Sequence, residues 1–387
     1  MQTEKTDLTN LASRRFEPRR YGLGAWTEHI FFAYDLVAQL QPRSLIELGT
    51  DRGESYFAFC QSALENQTGT RCCAIDHWRG DPYAGSYDET TFLAVEAHNR
   101  AHYAAFSTLL RSTFDTAQDR FAPESIDLLH IDGHHSETAA RNDVETWLPK
   151  LRPGGILLMH DVTMRGRDFG VWKVWAELEK RGRSWTFAQP PGLGVWEKPP
   201  AGRRPPLLET LLASPNESQA WLRDYYRQCQ ADLQAKVARQ WLDGTIRSAP
   251  LADETVIQIF WTNDGNYSEE QSTDARLGHG AWKDVAVPLP TADPITGVRI
   301  DFLSALTTIE VAAITIESDA GELVYRAEHA SEFESIKLWG DCVRRSLDPF
   351  SIAVTGIDPQ LHLPPFQPAR SPLVVRIHLR VKATAAC

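Results

Sequence analysis

Leu45-Ile46-Glu47-Leu48-Gly49-Thr50-Asp51-Arg52-Gly53-Glu54-Ser55 reads as a short apolar strand that ends in a glycine turn and runs straight into a helix. Gly49 and Gly53 permit backbone angles and close approaches that a side chain would block, and the first turn of the helix offers unpaired N–H groups to a polar ligand. Asp51 takes the place of the middle glycine of a dinucleotide fingerprint, G-x-G-x-x-G, which keeps a pyrophosphate off the backbone. Glu47, just before the first glycine, disfavours a diphosphate and favours a cationic ligand. An ordinary tight turn with a carboxylate at the strand end is the plain alternative.

Outward from this turn, short apolar runs alternate with helical patterns from about residue 28 to 198, the pattern of βαβ units around a mainly parallel sheet. Strands are expected at 44–48, 71–75, 107–110, 125–131 and 156–159, with Arg152-Pro153-Gly154-Gly155 as a turn and a closing antiparallel pair at 185–189 and 194–197. Lys198-Pro199-Pro200-Ala201-Gly202-Arg203-Arg204-Pro205-Pro206 marks a stiff linker. Helices follow over 207–242, in which Trp221, Tyr225, Cys229, Leu233, Val237 and Trp241 recur every fourth residue. That stripe must be buried, either on the chain's own α/β domain or in a homo-oligomer seam. After Gly244 the period changes to two, as in Val256 to Trp261, Val298 to Phe302 and Val374 to Val381, which predicts an antiparallel β-sandwich. The expected organisation is an α/β domain over 1–198, a linker and helical connector over 199–250, and a sandwich over 251–387.

The chain of 387 residues is 42% hydrophobic and 24% charged, ordinary values for a globular protein. A net charge of −11 makes nucleic acid a poor partner. No run approaches the length of a membrane span, and the start MQTEKTDLTNLASRR lacks the apolar core of a signal peptide, which points to a cytoplasmic protein. The six cysteines form no CxxC pair, so zinc-ribbon and thioredoxin-type sites drop out.

Asp76 closes the second strand, where a carboxylate can accept both hydroxyls of a ribose. Glu47, the glycines and Asp76 together describe a nucleoside with a positive tail, and S-adenosylmethionine has that character. A helix cap is the alternative for Asp76. A second constellation, Ile131-Asp132-Gly133-His134-His135 and Met159-His160-Asp161, follows the fourth and fifth strands. In a doubly wound sheet those strand ends open into one crevice, so Asp132, His160 and Asp161 converge as candidate ligands of a divalent cation. Oxygen ligands suit Mg²⁺ or Mn²⁺, and His160 tilts the preference toward a transition metal. Histidines packed under loops are the alternative.

The passages LIELGTDRGESYFAFC, IDLLHIDGHHSE, ETWLPKLRPGGILLMHDV and RDFGVWKVWAEL resemble class I S-adenosylmethionine-dependent methyltransferases, specifically the modules found with bacterial surface-polysaccharide glycosyltransferases. The resemblance runs from Trp26 to Glu197 and extends to metal-dependent sugar and catechol O-methyltransferases. It implies a Rossmann-like sheet and a cofactor site made of Glu47, Gly49, Thr50, Gly53, Ser55, Asp76, His77, Ser112, Thr113 and Asp132, with the turn at Ser112-Thr113-Phe114 lining the adenine. It places the metal ligands at Asp132 and at His160-Asp161, and the general base at His135. His160 stands where those relatives carry a carboxylate, so a metal-free site with His135 alone as base is the alternative.

The expected reaction is methylation of a sugar hydroxyl in a bacterial surface glycan such as an O-antigen, or in its precursor, with a glycosyltransferase as the implied partner. Trp78 to Tyr87 reads as an aromatic lid or a plain loop, and Arg165, Arg167 and Asp168 as a rim for a diphosphate or polar glycan or a solvated loop. In the sandwich, Trp261, Asn263, Asp264, Asn266 and Tyr267 either bind glycan or flank a hairpin core. Two other functions compete: a non-catalytic cofactor-fold scaffold with a glycan-binding sandwich, and a nicotinamide oxidoreductase, which the missing middle glycine disfavours.

Overall fold

The computed structural model describes residues 11–21, 25–81, 85–86, 89–165, 169–202, 204–213, 217–242, 254–268, 271–289, 293–303, 307–318, 321–369 and 372–382. The chain divides into two compact units, residues 1–230 and 231–387.

The first unit is built on β1 (Ser44–Leu48), β2 (Arg71–Asp76), β3 (Ser107–Arg111), β4 (Ile126–Ile131), β5 (Leu151–His160), β6 (Ser184–Phe187) and β7 (Leu193–Glu197). They lie in the order β3-β2-β1-β4-β5-β7-β6, the first five parallel and β7 antiparallel to β5 and β6. The chain walks outward from β1 to β3 and then returns past β1 to β4, so a crevice opens beyond the carboxyl ends of β1 and β4. Connecting helices include α1 (Ile30–Leu40), α2 (Glu54–Glu65), α3 (Glu89–His102), α4 (Glu137–Trp147) and α5 (Val171–Leu178). Alternation along the strands sorts their residues between faces. Ile46, Leu48, Leu129 and Ile131 join Val144 of α4 and Val174 and Trp175 of α5 in one core cluster, while Glu47 and His130 turn the other way, where His130 meets Trp26 and Phe59. This is the doubly wound sheet expected from the sequence. β5 begins five residues earlier than expected, because Leu151 already pairs with Ile126 and an irregularity between Ile126 and Leu128 absorbs the Pro-Gly-Gly segment.

The second unit contains one nine-stranded antiparallel sheet. Its strands are β8 (Glu254–Thr262), β9 (Ser272–Gly278), β10 (Lys283–Leu289), β11 (Gly297–Leu303), β12 (Thr307–Ser318), β13 (Leu323–Ala327), β14 (Lys337–Leu347), β15 (Phe350–His362) and β16 (Leu373–Lys382). The path runs β9-β8-β11-β15-β12-β16-β10, with β13 on β12 and β14 on β15. β15 pairs with β12 through Phe350 to Val354 and with β11 through Gln360 to His362, so it belongs to both arms of the sheet. Every second residue enters the core: Ile257, Ile259 and Trp261; Val298, Ile300 and Phe302; Val375, Ile377 and Leu379. β12 keeps this order across a bulge, Ile309 and Val311 before it and Ile314 and Ile316 after it. Trp261 is therefore a core residue, which settles that side chain against sugar binding.

The proline-rich segment and the helices α6 (Pro206–Leu211) and α7 (Glu217–Leu242) follow β7. Leu207 N–H donates to Gln39 of α1, and Tyr226 of α7 donates to Asp35, also of α1. The buried stripe at the start of α7 is Leu222 and Tyr226, one residue round from the expected one; Trp221 is 41% exposed and stacks on Tyr225. The offset arises because the Tyr226 hydroxyl has a buried acceptor in Asp35. The side chain of Trp241 lies outside the described residues. Among the described residues no helix is long and apolar enough to cross a membrane.

Asp35 is fully buried and accepts from the Ser13 N–H at 2.8 Å, the Ser13 hydroxyl at 2.5 Å and the Tyr226 hydroxyl at 3.1 Å, which ties the N-terminal segment and α7 to α1. Burial pushes its carboxyl from 3.8 up to about 6, against the pull of those hydrogen bonds. The folded state then binds more protons than the unfolded chain between these values, so stability falls as pH rises from about 4 to about 6. Asp35→Asn removes that slope. Urea unfolding at pH 4 and pH 7 is expected to show the variant gaining about 2–3 kcal/mol relative to wild type across the interval; a constant difference would exclude Asp35 as the titrating group.

Candidate active site

The glycine turn after β1 is shaped by contact with the end of β4. Gly49 has φ 84°, and a Cβ there would lie 1.8 Å from the carbonyl oxygen of Asp132. The Asp132 N–H donates to Leu48 at 2.8 Å, so the two strand ends are laced together. Gly53, at φ 81°, caps α2, and its N–H donates to Thr50 at 2.7 Å. One oxygen of Asp76 accepts from the N–H groups of Thr50 and Asp51 at 2.9 and 3.0 Å, and the other accepts from Trp78 at 2.7 Å. Asp76 thus fixes the turn and also faces the cavity.

That cavity has a volume of about 620 Å³ and runs along the crevice. Gly49, Thr50, Ser55, Asp76 and His77 line it together with Thr113, Phe114, Asn142 and Asp143, and with a cluster of Trp26, Asp132, His135, His160 and Asp161 that forms its reaction end. Gly49, Thr50, Ser55, Asp76, His77, Thr113 and Asp132 of the expected cofactor residues therefore line one cavity. Ser112 stands behind Asp76, donating its N–H to the Asp76 carbonyl at 2.9 Å. Glu47 is completely buried and pairs with His130 at 2.8 Å, below the cavity wall rather than on it. Burial raises the Glu47 carboxyl, and His130 opposes the rise.

At the reaction end, His160 Nδ1 lies 3.3 Å from Asp132 Oδ1 and 3.3 Å from Asp161 Oδ2, and His135 Nε2 lies 2.9 Å from the same Asp161 oxygen. Burial alone would lower the His160 value, but the two carboxylates outweigh it and carry the imidazole from 6.5 up to about 10. Asp132 and Asp161 are held below the ordinary carboxylate range, burial opposing and His160 prevailing. Asp161 is itself at φ 59°, an uncommon angle for a residue with a side chain. The ligand-type atoms within 4.8 Å of one another are those of Asp132, His135 and Asp161. His160, expected among the ligands, instead turns one nitrogen to both carboxylates from beneath, packed against Trp26 and His29.

Three contributors carried no sequence signal of their own. Trp26 walls the reaction end, from a segment well before the strand ends. Phe169 stacks on His135, with ring centres 4.7 Å apart and planes 9° apart, while the Gly170 N–H donates to the His135 carbonyl at 2.8 Å. Asp143 is buried on α4; burial first, then Asp115, raises its carboxyl to about 7. Of the expected lid, Trp78 is buried and donates to the Asp51 carbonyl at 2.9 Å, whereas 82–84 and 87 lie outside the described residues. Arg165 is exposed over Trp172; Arg167 and Asp168 also lie outside the described residues.

Residues 46–162 match the family described as a methyltransferase domain. Over those residues the α/β unit is similar to that family. The match spans the glycine turn, Asp76, Asp132, His135 and Asp161, so the cavity lining other than Trp26 falls within the matched residues. Over 204 residues, 52% of this chain, the protein is 43% identical to uncharacterized protein y4gI of Sinorhizobium fredii, and it spans 22% of that relative's length. Among solved structures, an O-methyltransferase from Bacillus cereus in complex with SAH is 15% identical, covering 50% of this chain and 86% of its own, with a TM-score of 0.35. The SAH-bound methyltransferase PaMTH1 of Podospora anserina is 17% identical, covering 44% and 78%, with a TM-score of 0.35.

In the first unit the His160 value lies above the ordinary one, so the stabilisation it brings is complete below pH 6.5 and is lost as pH rises toward 10. His160→Gln leaves two largely buried carboxylates without their countercharge and is expected to destabilise the fold by about 3 kcal/mol at pH 7. Urea unfolding at pH 6.5 and pH 9.5 checks this. The deficit should shrink at the higher pH, and an equal deficit would mean a neutral His160.

Proposed function

We propose that the chain is an S-adenosylmethionine-dependent O-methyltransferase acting on a sugar hydroxyl of a bacterial surface glycan or its precursor. The observation that carries the chemistry is the meeting of Asp132, His135 and Asp161 in a cavity that the glycine turn and Asp76 also line. Asp76 receives the ribose hydroxyls, the turn from Gly49 to Ser55 receives the amino-acid end, and Thr113 and Phe114 border the adenine. An aliphatic hydroxyl is a poor nucleophile until its proton is removed. His135 takes the acceptor proton; its Nε2 lies 2.9 Å from Asp161 and Phe169 stacks on the ring, while Nδ1 is enclosed and meets an acceptor only after a shift of the ring. As the O–CH₃ bond forms, the S–CH₃ bond breaks with its electron pair going to sulfur. The products are S-adenosylhomocysteine, the methyl ether and a protonated His135.

A divalent cation is a second reading, favoured by the 4.8 Å cluster of two carboxylates and an imidazole, a donor set that fits Mg²⁺ or Mn²⁺. Asp132, His135 and Asp161 would hold it, and it would acidify a coordinated hydroxyl. The sugar acceptor, the glycosyltransferase partner and a cytoplasmic setting rest on the family resemblance, as does a glycan-binding or docking role for the second unit. The scaffold alternative predicts no methyl transfer.

Calorimetry with S-adenosylmethionine and, separately, NAD is expected to give micromolar binding of the first alone, lost in Asp76→Ala. Chelator-treated protein should then show a heat with Mn²⁺ that disappears in Asp132→Ala if the cation belongs to the site. Transfer of labelled methyl to nucleotide-sugars should fall about 10²–10⁴-fold in His135→Ala. Absence of any nucleoside binding would sink the enzyme reading.

A further inference from the structure

We propose that the reaction end of the cavity selects the methylated cofactor over its demethylated product by charge, with Asp132 and Asp161 as the discriminating residues. The inference rests on the S-adenosylmethionine reading of the cavity. Cofactor and product share the adenosine, the ammonium and the carboxylate. They differ by one methyl group and the positive charge of the sulfonium, which transfer abolishes when the bonding pair returns to sulfur and the hydroxyl proton passes to His135.

The chain's own groups at that end are unbalanced. Asp132 and Asp161 share a single imidazole, His160 Nδ1 at 3.3 Å from each. Two carboxylates and one imidazole carry at least one net negative charge whether His160 is protonated or not. His135, also against Asp161 at 2.9 Å, is the neutral base before transfer. The other groups packed there are Trp26, His29, the Glu47–His130 pair and Phe169, and burial keeps His29 neutral by lowering its value well below the ordinary one. Arg52 is on the cavity wall, but at the glycine turn beside Asp51, 3.7 Å away.

The sulfonium must lie close to this charge. Gly49 touches the backbone of Asp132, so the turn that receives the cofactor abuts the first carboxylate. The methyl must also come within roughly 3–3.5 Å of an oxygen in reach of His135, which the second carboxylate holds. His160 is 4% exposed and Asp161 7%, so the field between these groups and a bound cation is weakly screened. Product release then follows from the chemistry: the attraction disappears in the step that makes the product.

The test is calorimetric titration of the full chain, chelator-treated and at low salt, with S-adenosylmethionine, S-adenosylhomocysteine and an analogue in which an ammonium replaces the methylated sulfonium. Both cationic ligands should bind at least about tenfold more tightly than S-adenosylhomocysteine, a difference of about 1.4 kcal/mol. In Asp161→Asn that ratio should collapse toward one by weakening the cationic ligands. Asp132→Asn serves the same purpose if the first variant does not give a native melting transition. Equal or tighter binding of S-adenosylhomocysteine by wild type overturns the inference, as does an unchanged ratio in a folded variant. Failure of all three ligands to bind removes the cofactor reading itself, a result distinct from binding without discrimination.

Discussion

The contact between Gly49 and the carbonyl of Asp132 is the constraint on which the first unit's chemistry depends. Parallel neighbours β1 and β4 stand about 4.8 Å apart in any sheet, yet their carboxyl ends must separate for a crevice to exist. Here the separation begins immediately beyond the contact, where the chain after β1 turns at φ 84° into α2 and the chain after β4 runs on toward α4. A side chain at position 49 would collide with the carbonyl and push the turn away from Asp132. Cofactor turn and reaction end would then no longer share one wall.

Sheet geometry also dictates the electrostatic problem at that wall. Asp132 and Asp161 follow adjacent parallel strands, so two carboxylates are brought together in a largely buried place, an arrangement that is unfavourable without a countercharge. His160 supplies one from beneath, and its position explains the unusual values of all three groups. A carboxylate at position 160 would have raised the local charge further and made a bound cation far more necessary. With histidine there, the chain can neutralise part of its own site. The layer under His160 is aromatic and imidazole, formed by Trp26, His29 and the Glu47–His130 pair, which keeps water from relieving the charge from below.

The residues legible in the sequence are those fixed by strand ends. Glycines at 49 and 53, Asp76, Asp132 and Asp161 follow from the alternation of apolar runs and helices, because such a sheet has one functional edge, whereas the role of His135 came from the family resemblance. Period-two spacing likewise identified β8, β10, β11, β12 and β16 of the second unit, the β12 bulge included, while β9, β13, β14 and β15 were not singled out. What escaped was set by tertiary contact. The early start of β5 depends on a bulge partner in β4. Trp26 and Phe169 act through rings that reach the site from segments with no periodic signature, and Glu47 was aimed at the ligand although alternation sends it to the opposite face, toward His130. At the start of α7 the buried face is Leu222 and Tyr226, whose hydroxyl reaches Asp35 of α1, one residue round from the expected stripe, while Val237 of that stripe is buried.

The two readings of His135 differ in a single proton. If the ring is to act as base with its Nε2 hydrogen on Asp161, the lone pair is on Nδ1, which is enclosed in this structure and reaches an acceptor only after a shift of the ring. If the ring is to hold a cation together with Asp132 and Asp161, Nε2 must itself be the lone pair, and the hydrogen moves to Nδ1. One neutral imidazole cannot do both, so base and ligand are mutually exclusive roles for this residue rather than cooperating ones. The carboxylates bias the choice. As long as Asp161 has no cation to satisfy it, a hydrogen on Nε2 is the favourable tautomer, and the stacked Phe169 keeps the ring from turning away. A cation would have to supply more to Asp161 than that hydrogen bond does and to compete with His160 for both carboxylates. The histidine at position 160 therefore weighs against the reading in which His135 serves as a cation ligand.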